Sequence, residues 1–426
     1  MTHVFVEVTN TLAVAYVTGF QRHTRELLAR LPGPDDGGPL HFVPVVWCAE
    51  CDDLRRLTAE EADRLARFRP PGTPTRSRLS VLGDRLPGPV RDTARRLVRT
   101  PAAHRLRERA AAERRRRAHP PGHAALCVGR PPADAWLFDL EAAWHNLPRR
   151  DELLPRLHAR GYRTSTLVAD VMPMQFPQWF DAGQQRLFGS FMEAHFRHSE
   201  RFVAISRCSE RDATQVAAAR GFGPLDTSVI TMGADFRRAA DDLPRPAEAP
   251  PGRYVISVAT VEPRKNHGLL VDAFDRLADA HPDLSVCFVG KAGWMTDDLQ
   301  ARLRSHPLAG GRFRWLDRVD DDLLDALYRH AFVAVQPAFY EGFGTPVIEA
   351  LGNGIPTLSS NGGALPEAGG EWAEYFDPTD LDALVALLER HLADPAHHEA
   401  ARARLVDYRP PSWEDGARGI VDAFSR

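Results

Sequence analysis

Cysteine is scarce in this chain. Its five residues are Cys48, Cys51, Cys127, Cys208 and Cys287. Cys48-Ala-Glu-Cys51 has the spacing of a metal-ligand or redox pair, but no second pair follows and the context is a strand end. The pattern reads as scattered thiols of a reducing compartment, with no resident metal. Long apolar runs are also missing: no window approaches 18 uncharged apolar residues, which excludes a membrane-spanning helix. Met1-Thr-His leads straight into VFVEV with no basic segment before it, so this run is expected to be the first strand, not a signal peptide. A cytoplasmic location follows from these readings. Neither sign of charge is in excess: 54 Lys and Arg stand against 57 Asp and Glu, a net charge of -3 that gives no general argument for nucleic acid.

Proline and glycine, by contrast, are plentiful, at 34 and 31 residues spread along the chain. They punctuate many short elements. A chain of 426 residues exceeds the size at which one core stops growing, so two domains of about 200 residues are expected. Strand-like runs alternate with helix-like ones under short connections, the pattern of an α/β fold with doubly wound parallel sheets. Asp241 to Gly252 holds four prolines and little apolar content, and reads as the interdomain linker. The predicted division is 1–240, 250–405, and a terminal helix within 406–426 that begins at Pro411-Ser412-Trp413.

In the N-terminal half, Val4 to Val8 reads as a buried strand, followed by a loop to Gly19 and a helix from about Phe20 to Leu31. His41 to Trp47 is the second strand. Residues 50–130 are the least informative. Between Arg91 and Arg117 stand eleven arginines against Asp92, Glu108 and Glu113. This stretch reads as a solvated helix or insertion, or as a patch drawn to anionic lipid. No aromatic platform accompanies it, which argues against nucleic acid. Arg163 to Ala169 is another strand, ended by Asp170-Val171-Met172-Pro173. A carboxylate there either faces a ligand cleft or caps the proline turn. Ser206 is the expected cap of the helix that follows Phe202–Ile205.

The C-terminal half concentrates the chemistry. Tyr254 to Ala259 is a strand, followed by Thr260-Val261-Glu262-Pro263-Arg264-Lys265-Asn266 and a helix. Two adjacent cations at a strand-to-helix junction, Arg264 and Lys265, make a coherent diphosphate site. Gly290 ends the next strand, where a glycine lets a ligand approach the backbone, and Trp294, four residues on, is a candidate to lie beside it. From Ala338 to Glu367 runs AFYEGFGTPVIEALGNGIPTLSSNGGALPE, a unit of glycine loop, Pro-started helix, strand and second glycine loop. Free N–H groups at Gly344 and Thr345 favour an anion. Glu341 and Glu349 would repel phosphate and suit sugar or ribose hydroxyls instead.

EGFGTPVIEALGNGIP closely resembles the E-x7-E region of retaining, nucleotide-sugar-dependent glycosyltransferases of the family 4 type (glycosyl transferases group 1), which adopt the GT-B fold. The resemblance covers residues 250–400 well and the N-terminal half more loosely. It implies two Rossmann-like domains facing across a cleft, with Glu341 near the donor sugar and Glu349 on the ribose. It further implies backbone donors for the diphosphate at Gly363, Ala364 and Leu365, base contacts at Arg318 and Val319, and a close approach at Gly19, in a Thr-Gly-Phe-Gln-Arg segment similar to the family's. Asp170 stands in a segment resembling the family's His-Asp-x-x-Pro, with Ala169 where the histidine would be; Ala259 replaces an arginine that many members carry. The implied reaction transfers a hexose or deoxyhexose with retention to a hydroxyl of a glycan or lipid-linked glycan in surface polysaccharide synthesis. GDP-mannose is the favoured donor. Asp170, Glu341 and Lys265 are the implied catalytic set. No cofactor is bound tightly, and since cations and helix N–H groups can neutralise the diphosphate, no metal is required. A sugar-nucleotide epimerase of the same fold and a non-catalytic glycan-binding subunit are the alternatives.

Overall fold

The computed structural model describes residues 1–14, 19–67, 123–234, 244–317 and 319–426. The basic stretch 91–117 and Arg318 lie outside the described residues. Two compact units are present, Met1–Thr164 and Ser165–Arg426, and the second holds residues from both sides of the proline-rich 241–252 segment.

In the first unit, β1 (Thr2–Glu7) lies between β2 (Leu40–Cys48) and β4 (Trp136–Asp139), parallel to both, with Val4 opposite Phe42 and Trp136. Val4, Phe5 and Val6 are fully buried, as an unbroken apolar strand covered on both faces requires. The segment expected to be a loop after β1 carries a short helix, Thr9–Ala13, before the helix Gly19–Leu28. Residues 50–67 are more ordered than their composition suggests. β3 (Asp53–Arg56) pairs antiparallel with β2, and the helix Ala59–Ala66 starts from a reciprocal capping box between Thr58 and Glu61. Arg150 is buried between the ends of β1 and β4. Its Nε and Nη2 donate to Asp139 at 2.6 and 2.7 Å, and it pairs with Glu7.

The boundary between the units falls within β5 (Arg163–Val168), which is followed by β6 (Arg201–Ala204) and β7 (Thr227–Val229), neighbours in parallel. Then come β8 (Arg253–Val258), β9 (Leu284–Val289), β10 (Phe313–Leu316), β11 (Val333–Gln336), β12 (Thr357–Ser360) and β13 (Glu374–Phe376). These six form an all-parallel sheet in the order β10-β9-β8-β11-β12-β13. Period-two alternation sends side chains to both faces. Val255, Val286, Phe288, Val333 and Val335 pack on the helices His267–Leu277 and Leu381–Ala393. Tyr254, Ile256, Cys287, Val289 and Ala334 pack toward Asp321–Arg329 and Thr345–Gly352. The strand order reverses between β8 and β11. In open α/β sheets the carboxyl ends flanking that reversal are where ligands bind.

The terminal helix, Trp413–Phe424, begins where Pro411-Ser412-Trp413 predicts, and Ser412 caps it. Trp413 is a fully buried packing anchor set against Gly233, and Arg201 on β6 donates to Ala423 O. Among the described residues no helix is long and apolar enough to cross a membrane.

Candidate functional site

Both segments at the strand-order reversal carry charge. After β8 the chain passes Glu262 into a single 3-10 turn, Pro263–Lys265, and then Asn266 in the left-handed region at φ 52°. Asn266 Nδ2 donates to Pro337 O at 3.1 Å and to Pro378 O at 2.7 Å, which fixes the turn against the segment after β11. Glu341, on that segment, is nearly buried. Its Oε2 accepts from Arg264 Nη1 at 2.6 Å; its Oε1 accepts from Lys265 and, at 3.1 Å, from Gln336 Nε2. Arg264 also pairs with Glu262 at 2.7 Å and donates to Tyr340 O at 3.2 Å.

The electrostatics follow from this clasp. Burial by itself would raise the Glu341 carboxyl, but Arg264 and Lys265 override it and hold it at about 2. Burial, with Arg264 close by, pulls the Lys265 ammonium below its ordinary value. Sequence reading gave Lys265 and Arg264 to a diphosphate and Glu341 to a sugar as separate tasks. The structure ties all three into one ion cluster in which the carboxylate occupies both cations.

The helix Thr345–Gly352 starts immediately beyond. Gly344 is its N-cap in the left-handed region and no side chain caps it; Pro346 carries no N–H and Val347 N donates to Gly344 O at 3.0 Å, so the Thr345 N–H is the first-turn donor left at the positive end of the helix dipole. Glu349, on this helix, is buried and accepts from Tyr328 Oη at 3.1 Å. The second glycine loop wraps Glu341. Gly363 has φ 63°, and a Cβ there would press on Glu341 O and lie 2.8 Å from Glu341 N. Ala364 N donates to Glu341 O at 2.9 Å and Leu365 N to Gly362 O at 3.3 Å. Those two expected phosphate donors are thus engaged in closing the turn, which leaves Gly363 N–H without a partner among the described residues.

Asp170 lies in the same unit. Its Oδ1 accepts from Met172 N at 3.0 Å, the turn-capping role, while burial, partly offset by Arg264, raises its carboxyl. That coupling places it in the field of the Arg264–Glu341 cluster. Ser206 caps its helix as expected, accepting from Ser209 N at 2.9 Å, and in addition donates to Gly342 O at 2.7 Å. Ser209 Oγ donates to Ala169 O at 2.7 Å. Sequence reading missed two further contacts on this loop. Glu367 accepts from Arg207 N and Cys208 N at 2.9 and 2.7 Å, and Tyr340 Oη donates to Asp212 at 2.5 Å. Tyr340 and Glu367 both stand in the glycine-loop stretch, but nothing local marks them.

Other assignments take different positions. Gly290 (φ 147°) makes room for Ala259 O, with which a Cβ would collide, so its backbone need is internal. Trp294 Nε1 is committed to Trp179 O at 2.8 Å. Val319 is half-buried against the core beside β8. Gly19 is exposed at the start of its helix in the first unit. That unit holds a carboxylate the sequence did not single out: Glu141, buried, accepts from Asn10 N and Thr11 N, both at 2.6 Å, and from Asn146 Nδ2 at 2.9 Å.

Residues 241–408 match the family described as Glycosyl transferases group 1. Among curated proteins, the chain is 28% identical over 303 residues to serotype-specific mannosyltransferase WbdA of Escherichia coli, covering 68% of this chain and 37% of that one. It is 34% identical over 213 residues to O-antigen chain mannosyltransferase B of Escherichia coli, covering 47% and 55%. It is 28% identical over 258 residues to MMP alpha-(1->4)-mannosyltransferase of Mycolicibacterium hassiacum, covering 58% and 60%. The chain therefore spans between about a third and three fifths of these relatives' own lengths. Among solved structures, sucrose-phosphate synthase from Thermosynechococcus elongatus aligns with TM-score 0.58 at 16% identity, covering 100% of this chain and 98% of that one. Anabaena HepE in complex with UDP and glucose aligns with TM-score 0.58 at 13% identity, covering 99% of each. The fold is GT-B, with two Rossmann-like α/β sheets.

Proposed function

We propose that the protein is a nucleotide-sugar-dependent glycosyltransferase moving a hexose or deoxyhexose, with retention, to a hydroxyl of a glycan or lipid-linked glycan. The observation that carries this reading is the Lys265–Arg264–Glu341 cluster at the strand-order reversal, beside a helix N-terminus that no side chain caps. A diphosphate brings its own negative charge. It displaces Glu341 from the two cations, which then hold the departing phosphate oxygens together with Thr345 N–H and Gly363 N–H. The released carboxylate turns to the sugar hydroxyls. Glu349 takes the ribose, and Asp170 orients the acceptor hydroxyl that attacks as the bond to phosphate breaks. Lys265 and Arg264 supply the charge neutralisation, so the reading requires no metal.

GDP-mannose is the preferred donor in this proposal because the relatives include three mannosyltransferases. Residues 250–405 carry the donor chemistry and 1–240 the acceptor side, with Gly19 and the backbone at Arg318 and Val319 in contact roles. A place at the inner face of a membrane, favoured by the 91–117 arginines, fits a lipid-linked acceptor in surface polysaccharide synthesis. The test is a thermal-shift screen of GDP, UDP and dTDP, followed by nucleotide release from the matching sugar conjugates with and without glycan acceptors. Acceptor-dependent release from GDP-mannose is expected. Interconversion of free nucleotide sugar, or binding without turnover, would replace the proposal with an epimerase or a binding subunit.

A further inference from the structure

We infer that Cys48, Cys51 and Cys127 form a binding site for a thiophilic divalent cation, with zinc as the working probe. The inference is independent of the transferase reading, since all three residues lie in the first unit, away from the Lys265 cluster in sequence and in chemistry.

Backbone pairing carries the argument. In the antiparallel β2–β3 ladder Cys48 stands opposite Asp53, and directly opposed residues share a face. Arg55, two residues on, returns to that face. Beyond β3 the chain comes back as a further antiparallel neighbour: Val128 N donates to Leu54 O at 2.8 Å, and Cys127 stands opposite Arg55. Cys48 and Cys127 therefore present their sulfurs on one side of a three-stranded edge. Cys51, in the turn joining β2 to β3, closes over the same side. The three sulfurs all lie within 4.8 Å of one another, and none of these cysteines is in a disulfide. A tetrahedral zinc–thiolate site with bonds of about 2.3 Å has sulfur–sulfur edges of ~3.8 Å. Small side-chain rotations therefore suffice to close the site.

The surroundings suit a thiolate cluster. Asp53 is already committed, to Leu54 N at 2.7 Å, Gly129 N at 2.9 Å and Arg160 at 2.7 Å, so it is not the fourth ligand. Three thiolates and one water complete a tetrahedral shell. Binding releases three thiol protons to solvent and leaves a complex of net charge -1. Arg55 shares the face; its Nη1 and Nη2 pair with Glu61, both at 2.7 Å, while its buried Nε–H has no partner among the described residues and can donate to a thiolate. The consequence is structural: the cation ties the β2–β3 turn to the point where the chain returns at Cys127, closing a long loop.

The experiment uses the full chain, purified under reducing conditions and stripped by a chelator, then titrated with Co2+ and with Zn2+ in competition. The expected result is one cation per chain, a near-ultraviolet sulfur-to-cobalt charge-transfer band, and displacement of that band by Zn2+. C51S and C127S, at half-exposed positions, should each weaken Co2+ affinity at least ~100-fold. E374Q, in the separate Glu374–His391–His397 cluster, should leave the band unchanged. A measurement on the unaltered protein guards against misfolded variants: Zn2+ should slow alkylation of Cys51 and Cys127, and chelation should restore it. Co2+ binding without a thiolate band, a band insensitive to both cysteine variants, unprotected thiols, or a disulfide among the three in protein alkylated at lysis would each overturn the site.

Discussion

Replacing Glu341 by Gln separates two roles that the free protein combines in one carboxylate. The carboxyl is held at about 2, against an ordinary value of 4.5. At ~1.4 kcal/mol per pH unit, this corresponds to roughly 3 kcal/mol of favourable interaction with Arg264 and Lys265. The pKa is depressed, so this stability is fully present above pH 4.5 and is lost as pH falls toward 2. E341Q should therefore lower the unfolding free energy at pH 7 by about that amount, and nearly remove the contribution's acid-limb pH dependence. Nucleoside diphosphate should behave in the opposite way. With no carboxylate to displace, its affinity should hold or rise and its stabilisation of the variant should exceed that of the wild type, while transfer falls. K265A removes one of the phosphate's charged donors instead, a loss of roughly 1.5–3 kcal/mol in binding. Calorimetric titration of both variants with the nucleotide that stabilises the wild type, beside denaturant unfolding, provides the comparison. Loss of diphosphate affinity in E341Q as large as in K265A would refute the displacement step. Unchanged affinity in K265A would remove the phosphate site altogether.

Three other substitutions probe separate parts of the structure. Gly363→Ala puts a Cβ in the left-handed region against Glu341 O; a backbone cost of ~1–2 kcal/mol and a displaced Glu341 should abolish transfer, and wild-type kcat would contradict the packing described. Arg150→Met leaves Glu7 and Asp139 buried without their cation; a loss of about 3–5 kcal/mol is expected in denaturant unfolding, and a change under about 1 kcal/mol would mean the pair is solvated. Glu141 is pushed up to about 7, by burial first and then by Glu7. Its protonated form is the one the fold favours, so wild-type stability should decline relative to E141Q as pH rises from 4.5 to 7, by up to roughly 3 kcal/mol. Parallel stability–pH curves for the two proteins would show that Glu141 does not ionise in that window.

Signals confined to a few neighbouring residues were readable without coordinates. Alternating strands and helices gave the α/β class. A Pro-started helix behind Gly-Phe-Gly gave the anion-favouring N-terminus, and adjacent Arg264 and Lys265 gave the cation pair. Ser206 announced a helix start, because a cap is a contact over two or three residues. β3 was passed over because Asp-Leu-Arg-Arg is too polar to resemble a strand; Asp53 and Arg55 are buried there because ion pairs with Arg160 and Glu61 satisfy their charges. The Thr58–Glu61 capping box was present but stood in a region poor in apolar residues.

What composition and spacing determined was therefore local: which residues begin helices, which runs are buried, and which side chains could bear charge toward an anion. Tertiary structure alone decided which of these meet. Glu341 reaches Lys265 because β8 and β11, far apart in the chain, lie side by side where the strand order reverses. Ala364 and Leu365 lose their donors to a turn that must close around that carboxylate. Cys127 joins Cys48 and Cys51 only through strand pairing along β3. Contacts at such separations depend on register and on the order of strands, and no short stretch of residues encodes either.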